Sequence, residues 1–75
     1  MISLDKVSIN KRCRIFKLDI EGNMLRRLLD IGIIPGAIIK KVLVSPFGGI
    51  SAYSIMGTTM AIRDKDVKGV FVEYE

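Results

Sequence analysis

The chain has 75 residues, of which 49% are hydrophobic and only 7% aromatic, and its formal net charge is +4. This length predicts one domain, residues 1–75, with a single aliphatic core and little room for a deep active-site cleft. One cysteine and no histidine exclude a disulfide scaffold, imidazole catalysis and a zinc-type site. The positive charge suits nucleic acid, an anionic membrane or an acidic protein, and equally a domain that needs charge for solubility.

The first half of the chain predicts a short turn, a strand and a helix. Ser3 is placed to cap a turn over Leu4–Val7, and Cys13–Leu18 alternates like a strand. A polar loop follows, and its Asn23 is suited to be the N-cap of a helix over Met24–Ile31. We therefore expect one α-helix after the first strand.

The second half predicts four strands joined by tight turns. Lys40 and Lys41 interrupt the first of these strands, so at least one face there is expected to meet water. Pro46-Phe47-Gly48-Gly49 signals a hairpin, and Asp64–Gly69 signals a short helical turn that Asp64 can cap. The four strands are Ala37–Val44, Ser51–Met56, Thr59–Arg63 and Val70–Tyr74. The whole pattern predicts a mainly-β fold, a small closed five-stranded barrel with one inserted helix and a helical turn before the last strand.

The segment Leu25–Gly36 combines a helix, its C-terminal stop and a turn. Gly32 follows the helical pattern directly, and Pro35-Gly36 marks a second turn before the next strand. We expect these residues, and Gly57 at the end of a later strand, to shape the backbone. The residues expected to anchor the helix on the barrel are Leu25, Leu28 and Leu29. Arg26 and Arg27 are then left facing outward.

No constellation of residues for catalysis, metal binding or cofactor binding is present in the sequence. Cys13 alternates with Ile15 and is expected to be buried, and the four methionines are expected to fill the core. Asp64 and Asp66 are most simply a capped and solvated turn. The prediction is a protein that is not an enzyme and has no catalytic residue, metal ligand or cofactor of its own.

No signal peptide and no transmembrane segment are evident in the sequence. The N-terminus has no basic segment followed by a long apolar stretch, and no apolar run approaches the ~20 residues that span a bilayer. These features predict a soluble, cytoplasmic protein.

The order of these motifs resembles the FeoA family, small SH3-like domains of bacterial ferrous iron uptake. Members carry a basic-leucine helix leading to Leu-Gly-Leu/Ile-x-Pro-Gly, and here Arg26–Gly36 has this form. A strand, a Pro-x-Gly hairpin and a strand ending in glycine follow in the family, as in Ile38–Val44, Pro46–Gly48 and Tyr53–Gly57. The Ala-Ile-Arg step at 61–63 completes the resemblance, which extends over nearly the whole chain.

The resemblance implies a partner and a cellular setting. The partner is the FeoB-type transporter, a membrane protein with a cytoplasmic GTPase domain. The implied role is a non-enzymatic module that docks on FeoB and influences its GTPase or its transport. Such a module is cytoplasmic, peripheral at the inner membrane through FeoB, and need not hold iron itself.

Six residues are the candidates for the partner surface. Arginine and aromatic side chains are enriched at binding hot spots, and an exposed apolar hairpin would add contact area. The candidates are Arg26, Arg27, Phe47, Ile50, Tyr53 and Arg63. The alternative for the helix arginines is a solvated face without a partner. Any of the three arginines could also act on the FeoB GTPase as an arginine finger.

A second class of function is a small β-barrel that binds nucleic acid. It requires aromatic side chains interleaved with basic ones, and only Phe16, Phe47 and Tyr53 are available, on separate elements. No stable nucleic-acid complex is therefore expected, and a groove for proline-rich peptides lacks aromatics for the same reason. Self-association stays open because of the apolar hairpin.

Overall fold

Six antiparallel strands form one sheet around an aliphatic core. The computed structural model describes residues 1–75. The strands are β1 (Ile2–Ser3), β2 (Arg12–Leu18), β3 (Ile38–Val44), β4 (Ile50–Ile55), β5 (Thr58–Arg63) and β6 (Val70–Tyr74). Helix α1 covers Gly22–Asp30, and two 3₁₀ turns cover Leu4–Lys6 and Asp64–Asp66. The hydrogen-bonded order is β1-β6-β2-β3-β4-β5, and the molecule measures 30 × 25 × 23 Å along its principal axes.

The mainly-β class, the single helix and the helical turn before the last strand are confirmed, and two details are corrected. The sheet has six strands instead of five, because Ile2 pairs with Val72 and Ser3 with Phe71. A strand of two residues is too short to show a period in the sequence. Closure is also incomplete, because β1 and β5 end the hydrogen-bonded order and form no ladder with each other.

Alternation along the strands builds the core. Buried residues recur at every second position, as in Cys13 and Ile15 of β2 and Val70 and Val72 of β6. The buried hydrophobic residues form one cluster: Leu4, Val7, Cys13, Ile15, Leu28, Ile33, Ile39, Tyr53, Ile55, Val67, Val70 and Val72. Burying a Leu or Ile side chain contributes roughly 1.5–3 kcal/mol, so these aliphatics supply most of the driving force.

None of the three predicted side-chain caps forms. Ser3 is at the N-cap position of the first turn, but its single hydroxyl proton is shared between the Asp5 carboxylate and Lys68 O (2.7 Å). Helix α1 begins at Gly22, whose φ of +69° turns the chain one residue before Asn23, so Asn23 lies inside the helix. The Asp64 carboxylate accepts a hydrogen bond from Ser51 Oγ (3.1 Å) instead of capping its own turn.

The expectation that at least one face of β3 meets water at the lysine pair holds for Lys40, but the other lysine, Lys41, is buried. It shares the inner face with Ile39 and is only 5% exposed, while Lys40 is half-buried. Its Nζ donates to Asp5 O (2.9 Å) and lies 5.9 Å from the centre of the Tyr53 ring, its cross-strand partner. The long aliphatic stem fills the core while the ammonium reaches a carbonyl.

Candidate partner-docking site

An apolar groove runs between α1 and β5. Its volume is about 440 Å³, and six of its nine lining residues are hydrophobic. The lining residues come from α1 and the residue after it, from β5 and from the second 3₁₀ turn: Met24, Arg27, Leu28, Ile31, Met60, Ala61, Ile62, Arg63 and Asp66. Concave apolar surfaces with a few polar groups are the usual form of binding sites. We call this site the α1–β5 groove.

The helical wall of the groove is fixed by the spacing of its apolar residues. Met24, Leu28 and Ile31 lie three or four positions apart and therefore share one face. Leu28 is 2% exposed, and Met24 and Ile31 pack against the core from its margin. Arg27, three residues after Met24, is thereby held at the rim of the groove.

This arrangement corrects the predicted leucine stripe. Leu28 is buried, whereas Leu25 is half-buried and Leu29 is 39% exposed. The reason is rotational: the buried face of α1 runs through Met24, Leu28 and Ile31, which turns Leu29 toward solvent. The anchor of the helix is therefore one leucine with two flanking apolar residues.

The strand wall of the groove comes from the inner face of β5. Met60 pairs with Tyr53 and Ile62 with Ser51, and both β5 residues pack against the core while remaining half-buried. Arg63 stands at the end of the strand, where its Nε donates to Asp66 Oδ2 (2.9 Å). The groove floor is thus apolar and its end is polar.

The two arginines of the groove differ in their charge environment. Arg63 is paired with Asp66, while Arg27 has no carboxylate partner, since the three ion pairs involve only Arg12, Arg14 and Arg63. An unpaired guanidinium can accept a bidentate carboxylate from another molecule. The rim of the groove therefore has one cation available to a partner.

The structure brings some of the predicted contact residues together and separates others. Arg27 and Arg63 both line the groove, and Ile50, 43% exposed, lies directly opposite Arg63 in the β4–β5 register. Phe47 is 96% exposed on the turn between β3 and β4. Arg26 is exposed on α1 but lies outside the groove.

Tyr53 does not belong to any contact surface, which corrects its prediction. It alternates with Ser51 and Ile55 on the inner face of β4 and is 0% exposed. Its hydroxyl has no hydrogen-bond partner. Burial, followed by the nearby Asp64 carboxylate, raises the pKa of Tyr53 to about 12. A buried Tyr53 cannot stack on a nucleic-acid base. Of the three aromatic residues considered for nucleic-acid binding, only Phe16 and Phe47 are then available, and they lie on separate elements.

The turn-forming residues of the predicted motif do not line the groove. Gly32, two residues after the end of α1, has a φ of +101°, and a Cβ there would lie 3.0 Å from Met56 Sδ. Gly36 and Gly57 also have positive φ, and Pro35 is exposed between the turns. Their role in the structure is to direct the chain from α1 into β3 and from β4 into β5.

Sequence reasoning missed the apolar lining of the groove. Met24 and Met60 were expected to fill the core, and Ile31 and Ile62 were expected only as parts of a helix or strand, although the three-four spacing from Met24 to Ile31 was a usable signal for one face. What no pattern indicated is that β5 ends the sheet and lies beside α1.

The structure contains no group of three or more His, Cys, Asp or Glu side chains placed to hold a metal ion. Cys13 is buried, and burial raises the pKa of its thiol, which disfavours the thiolate. None of the helices is long and apolar enough to cross a membrane.

Comparison with known proteins gives a family match and several structural likenesses. The family model described as FeoA domain matches residues 2–74. A search of curated proteins found no match.

Three solved structures illustrate the likeness. Iron(II) transport protein A from Clostridium thermocellum has a TM-score of 0.93 and 25% identity over 97% of this chain, which spans only 45% of that protein. The FeoA-like protein from Clostridium acetobutylicum has a TM-score of 0.88 and 26% identity, over 97% of this chain and 85% of that one. The Stenotrophomonas maltophilia FeoA complexed with zinc, described as an SH3 domain protein, has a TM-score of 0.81 and 22% identity, over 97% and 91%. The fold is thus SH3-like.

Proposed function

The chain belongs to the FeoA family, whose model matches residues 2–74, and from this we propose that it is a non-enzymatic accessory protein of bacterial ferrous iron uptake. It acts in the cytoplasm and reaches the inner membrane by docking on the cytoplasmic part of an FeoB-type transporter. The structural observation that carries the docking is the α1–β5 groove, an apolar surface flanked by Arg27 and Arg63. The solved Clostridium thermocellum relative is named an iron(II) transport protein, which supports the iron-uptake role.

A binding role is supported by the state of the reactive side chains. The thiol of Cys13 is buried with a raised pKa, and the phenol of Tyr53 has a pKa of about 12, so both are protonated near neutral pH. The chain has no histidine to serve as a general base. The groove itself holds thioether, aliphatic, guanidinium and a single ion-paired carboxylate groups, which suit recognition better than chemistry.

The contact residues within this proposal have different roles. Met24, Ile31, Met60 and Ile62 supply the apolar floor, and Arg27 supplies the charge that a partner carboxylate meets. Phe47 and Ile50 extend the surface past Arg63 along the β3–β4 hairpin. Arg26 contributes only if the partner also covers the outer side of α1.

The test is a calorimetric titration with the purified cytoplasmic domain of the FeoB-type transporter from the same organism. Arg27→Glu should weaken binding by about tenfold or more, because a favourable charge-assisted contact becomes a repulsive one. Lys11→Glu, which makes the same charge change outside the groove, should bind like the wild type. Absence of binding by the wild-type protein refutes the docking function. Equal binding by all three proteins refutes only the groove assignment.

Docking is further proposed to change GTP turnover or transport by the transporter. Of the arginines predicted for such a role, Arg26 and Arg27 are both exposed and free of ion pairs, and of these two only Arg27 lines the groove. GTP hydrolysis by the transporter's GTPase domain should therefore change when this protein is added and remain unchanged with Arg27→Glu. Identical hydrolysis rates with and without the wild-type protein rule out a GTPase effect, and iron uptake in cells then tests transport separately.

A further inference from the structure

β5 is an open edge of the sheet. The strand order ends with β5, whose only neighbour is β4, and the register of the two strands is regular from Ile50↔Arg63 to Ile55↔Thr58. The other edge, β1, has only two residues, so β5 is the longer of the two free edges.

The direction of the backbone groups of β5 follows from one hydrogen bond. Asp64 N donates to Gly49 O (2.8 Å), which extends the β4–β5 ladder by one pair. Because N–H and C=O groups alternate in direction along a strand, Ile62 and Met60 also face β4. Thr59, Ala61 and Arg63 therefore point their N–H and C=O groups away from the sheet. No backbone or side-chain hydrogen bond outside the ladders reaches these outward groups.

Several features that protect the edges of native sheets are missing from β5. Native sheets protect edges with lysine, proline, bulges or very short strands. The sequence of β5, Thr-Thr-Met-Ala-Ile-Arg, contains β-branched and small residues and neither lysine nor proline. Its pairing with β4 has no bulge, unlike the β2–β6 and β3–β4 pairings. The edge is thus a template for a further strand.

We propose that an extended acidic-aliphatic segment of the partner adds to β5 as a seventh strand. The main chain of the segment pairs with the outward groups of Thr59, Ala61 and Arg63. Its inward aliphatic side chains enter the α1–β5 groove, and a carboxylate binds Arg27. This inference rests on the proposed docking function and specifies the partner segment that the groove takes.

The groove supports this mode because it lies directly beside the edge. Ala61 and Arg63 belong both to the outward-facing set and to the lining of the groove. A strand beside β5 therefore places every second side chain against Met60 and Ile62 on the inner side. Main-chain bonds then supply affinity, and the groove selects the side chains.

Charge favours a different protein over a second copy of this chain. Each copy has a net charge of +4, and pairing β5 with β5 of another copy would bring together two pairs of groove arginines. Like charges facing each other across an interface oppose association. An acidic segment instead neutralises Arg27, the groove arginine without an ion pair.

Hydrogen exchange tests the proposal directly, first with the cytoplasmic domain of the transporter and then with a capped synthetic peptide of alternating valine and glutamate. Binding should slow exchange at the outward amides of Thr59, Ala61 and Arg63. The amides of Met60 and Ile62, already bonded to β4, serve as internal controls and should change much less. Slowed exchange in concentrated protein alone would mean pairing between copies and would overturn the acidic-segment proposal.

A proline substitution provides the matched variant. Ala61→Pro removes one outward N–H and obstructs the approach of another strand, and edge positions of this kind tolerate proline. Binding should weaken by about tenfold or more, whereas Lys11→Glu, which lies outside both the groove and β5, should bind like the wild type. Amide spectra of both variants check that the β4–β5 ladder is intact. If Ala61→Pro disrupts this ladder, the exchange pattern of the wild-type protein alone tests whether a strand adds to β5.

The two ligands, the transporter domain and the synthetic peptide, test strand addition and docking on FeoB separately. If the transporter domain binds but the three outward amides exchange as before, strand addition is wrong and docking stands. If the transporter domain does not bind but the peptide protects these amides, docking on FeoB is wrong and strand addition stands. If neither ligand protects them at millimolar concentration, strand addition is refuted.

Discussion

At the scale of single residues, the inner face of the sheet contains, besides the small Ser51, two large side chains with polar groups that an aliphatic core would not require. The Lys41 ammonium is bonded to Asp5 O, and the Tyr53 hydroxyl has no partner. Together they place charge and hydroxyl groups where β3 and β4 meet the two 3₁₀ turns. Buried polar groups lower stability unless they are satisfied, so the two residues differ in their consequences.

The raised pKa of Tyr53 predicts a loss of stability at high pH. In the unfolded chain the phenol ionises near its ordinary value of 10.0, and in the fold near 12. The folded state therefore holds the proton more tightly than the unfolded chain does. The resulting stabilisation of the fold is complete below pH 10 and disappears as the pH rises toward 12. Two pKa units correspond to ~3 kcal/mol at most.

Denaturant unfolding of Tyr53→Phe across this pH range checks the prediction. The variant should lose less stability than the wild type between pH 10 and 12, while at neutral pH its unfolding free energy should stay within about 1 kcal/mol, because the hydroxyl has no partner to lose. Parallel slopes for the wild type and Tyr53→Phe would contradict this account.

Residue-level features were only partly predictable from the sequence. Cys13 and Ile15 were placed inside by their alternation, and the structure confirms this. The same alternation places Lys41 on one face with Ile39 and Tyr53 on one face with Ile55. The ammonium and the hydroxyl group nevertheless favoured exposed positions for these two residues. Whether a buried polar group finds a hydrogen-bond partner depends on which segment packs against it. For Lys41 that segment is the first 3₁₀ turn, which contains Asp5.

At the scale of elements, the close approach of two backbone segments creates a stronger requirement for glycine than a positive φ alone. Gly69 has ordinary dihedrals, yet a Cβ there would lie 2.5 Å from Asp19 O and 2.7 Å from Ile20 Cγ1. Asp19 N also donates to Gly69 O (2.7 Å), so the two segments have little room to separate. Gly36, by contrast, has a φ of +93° and open space around it.

These contacts predict that Gly69→Ala destabilises the protein more than Gly36→Ala. We expect a loss of about 2–4 kcal/mol at position 69 from the backbone clash, and about 1–2 kcal/mol at position 36 from the positive φ. Urea unfolding of the two variants measures both values. A smaller loss for Gly69→Ala would mean that the 19–20 segment moves aside easily.

The turn between β4 and β5 offers a stabilising substitution. Met56 has a φ of +51° and Gly57 a φ of +80°, the signs of a two-residue type I′ turn, and Met56 is 79% exposed. Asparagine suits this position better than methionine, so Met56→Asn should raise the unfolding free energy by about 0.5–1 kcal/mol. Thr58→Asn, an exposed neighbour in β5, should give no such gain. Destabilisation by Met56→Asn would show that its thioether contact near Gly32 matters more than the turn.

Element types were predicted better than element neighbours. The alternating runs located β2 to β6, and the three-four spacing located α1, within one or two residues. Asn23 lost its capping role because Gly22 turns the chain first, an effect of one backbone angle. The α1–β5 groove depends on β5 being an edge beside α1, and no local sequence pattern indicates this tertiary arrangement.

At the scale of the whole molecule, the net charge of +4 should govern how fast the protein meets an acidic partner. Electrostatic steering raises association rates and is screened by salt over a Debye length of ~8 Å at physiological ionic strength. We expect the association rate with the transporter domain to fall as salt increases, and the dissociation rate to change much less. Stopped-flow mixing at several salt concentrations measures both. Salt-independent association would contradict a role for the basic surface.

The pairing of the first strand with the last has a consequence for how the chain reaches its fold. β3, β4 and β5 are joined by short hairpins and can form within microseconds, whereas the β2–β6 and β1–β6 ladders must close loops that span most of the chain. We therefore expect the central meander to gain exchange protection first in a refolding pulse, with the two ends joining afterwards. The protein then assembles from its middle outward, and β5 exists as a strand before the rest of the barrel surrounds the core.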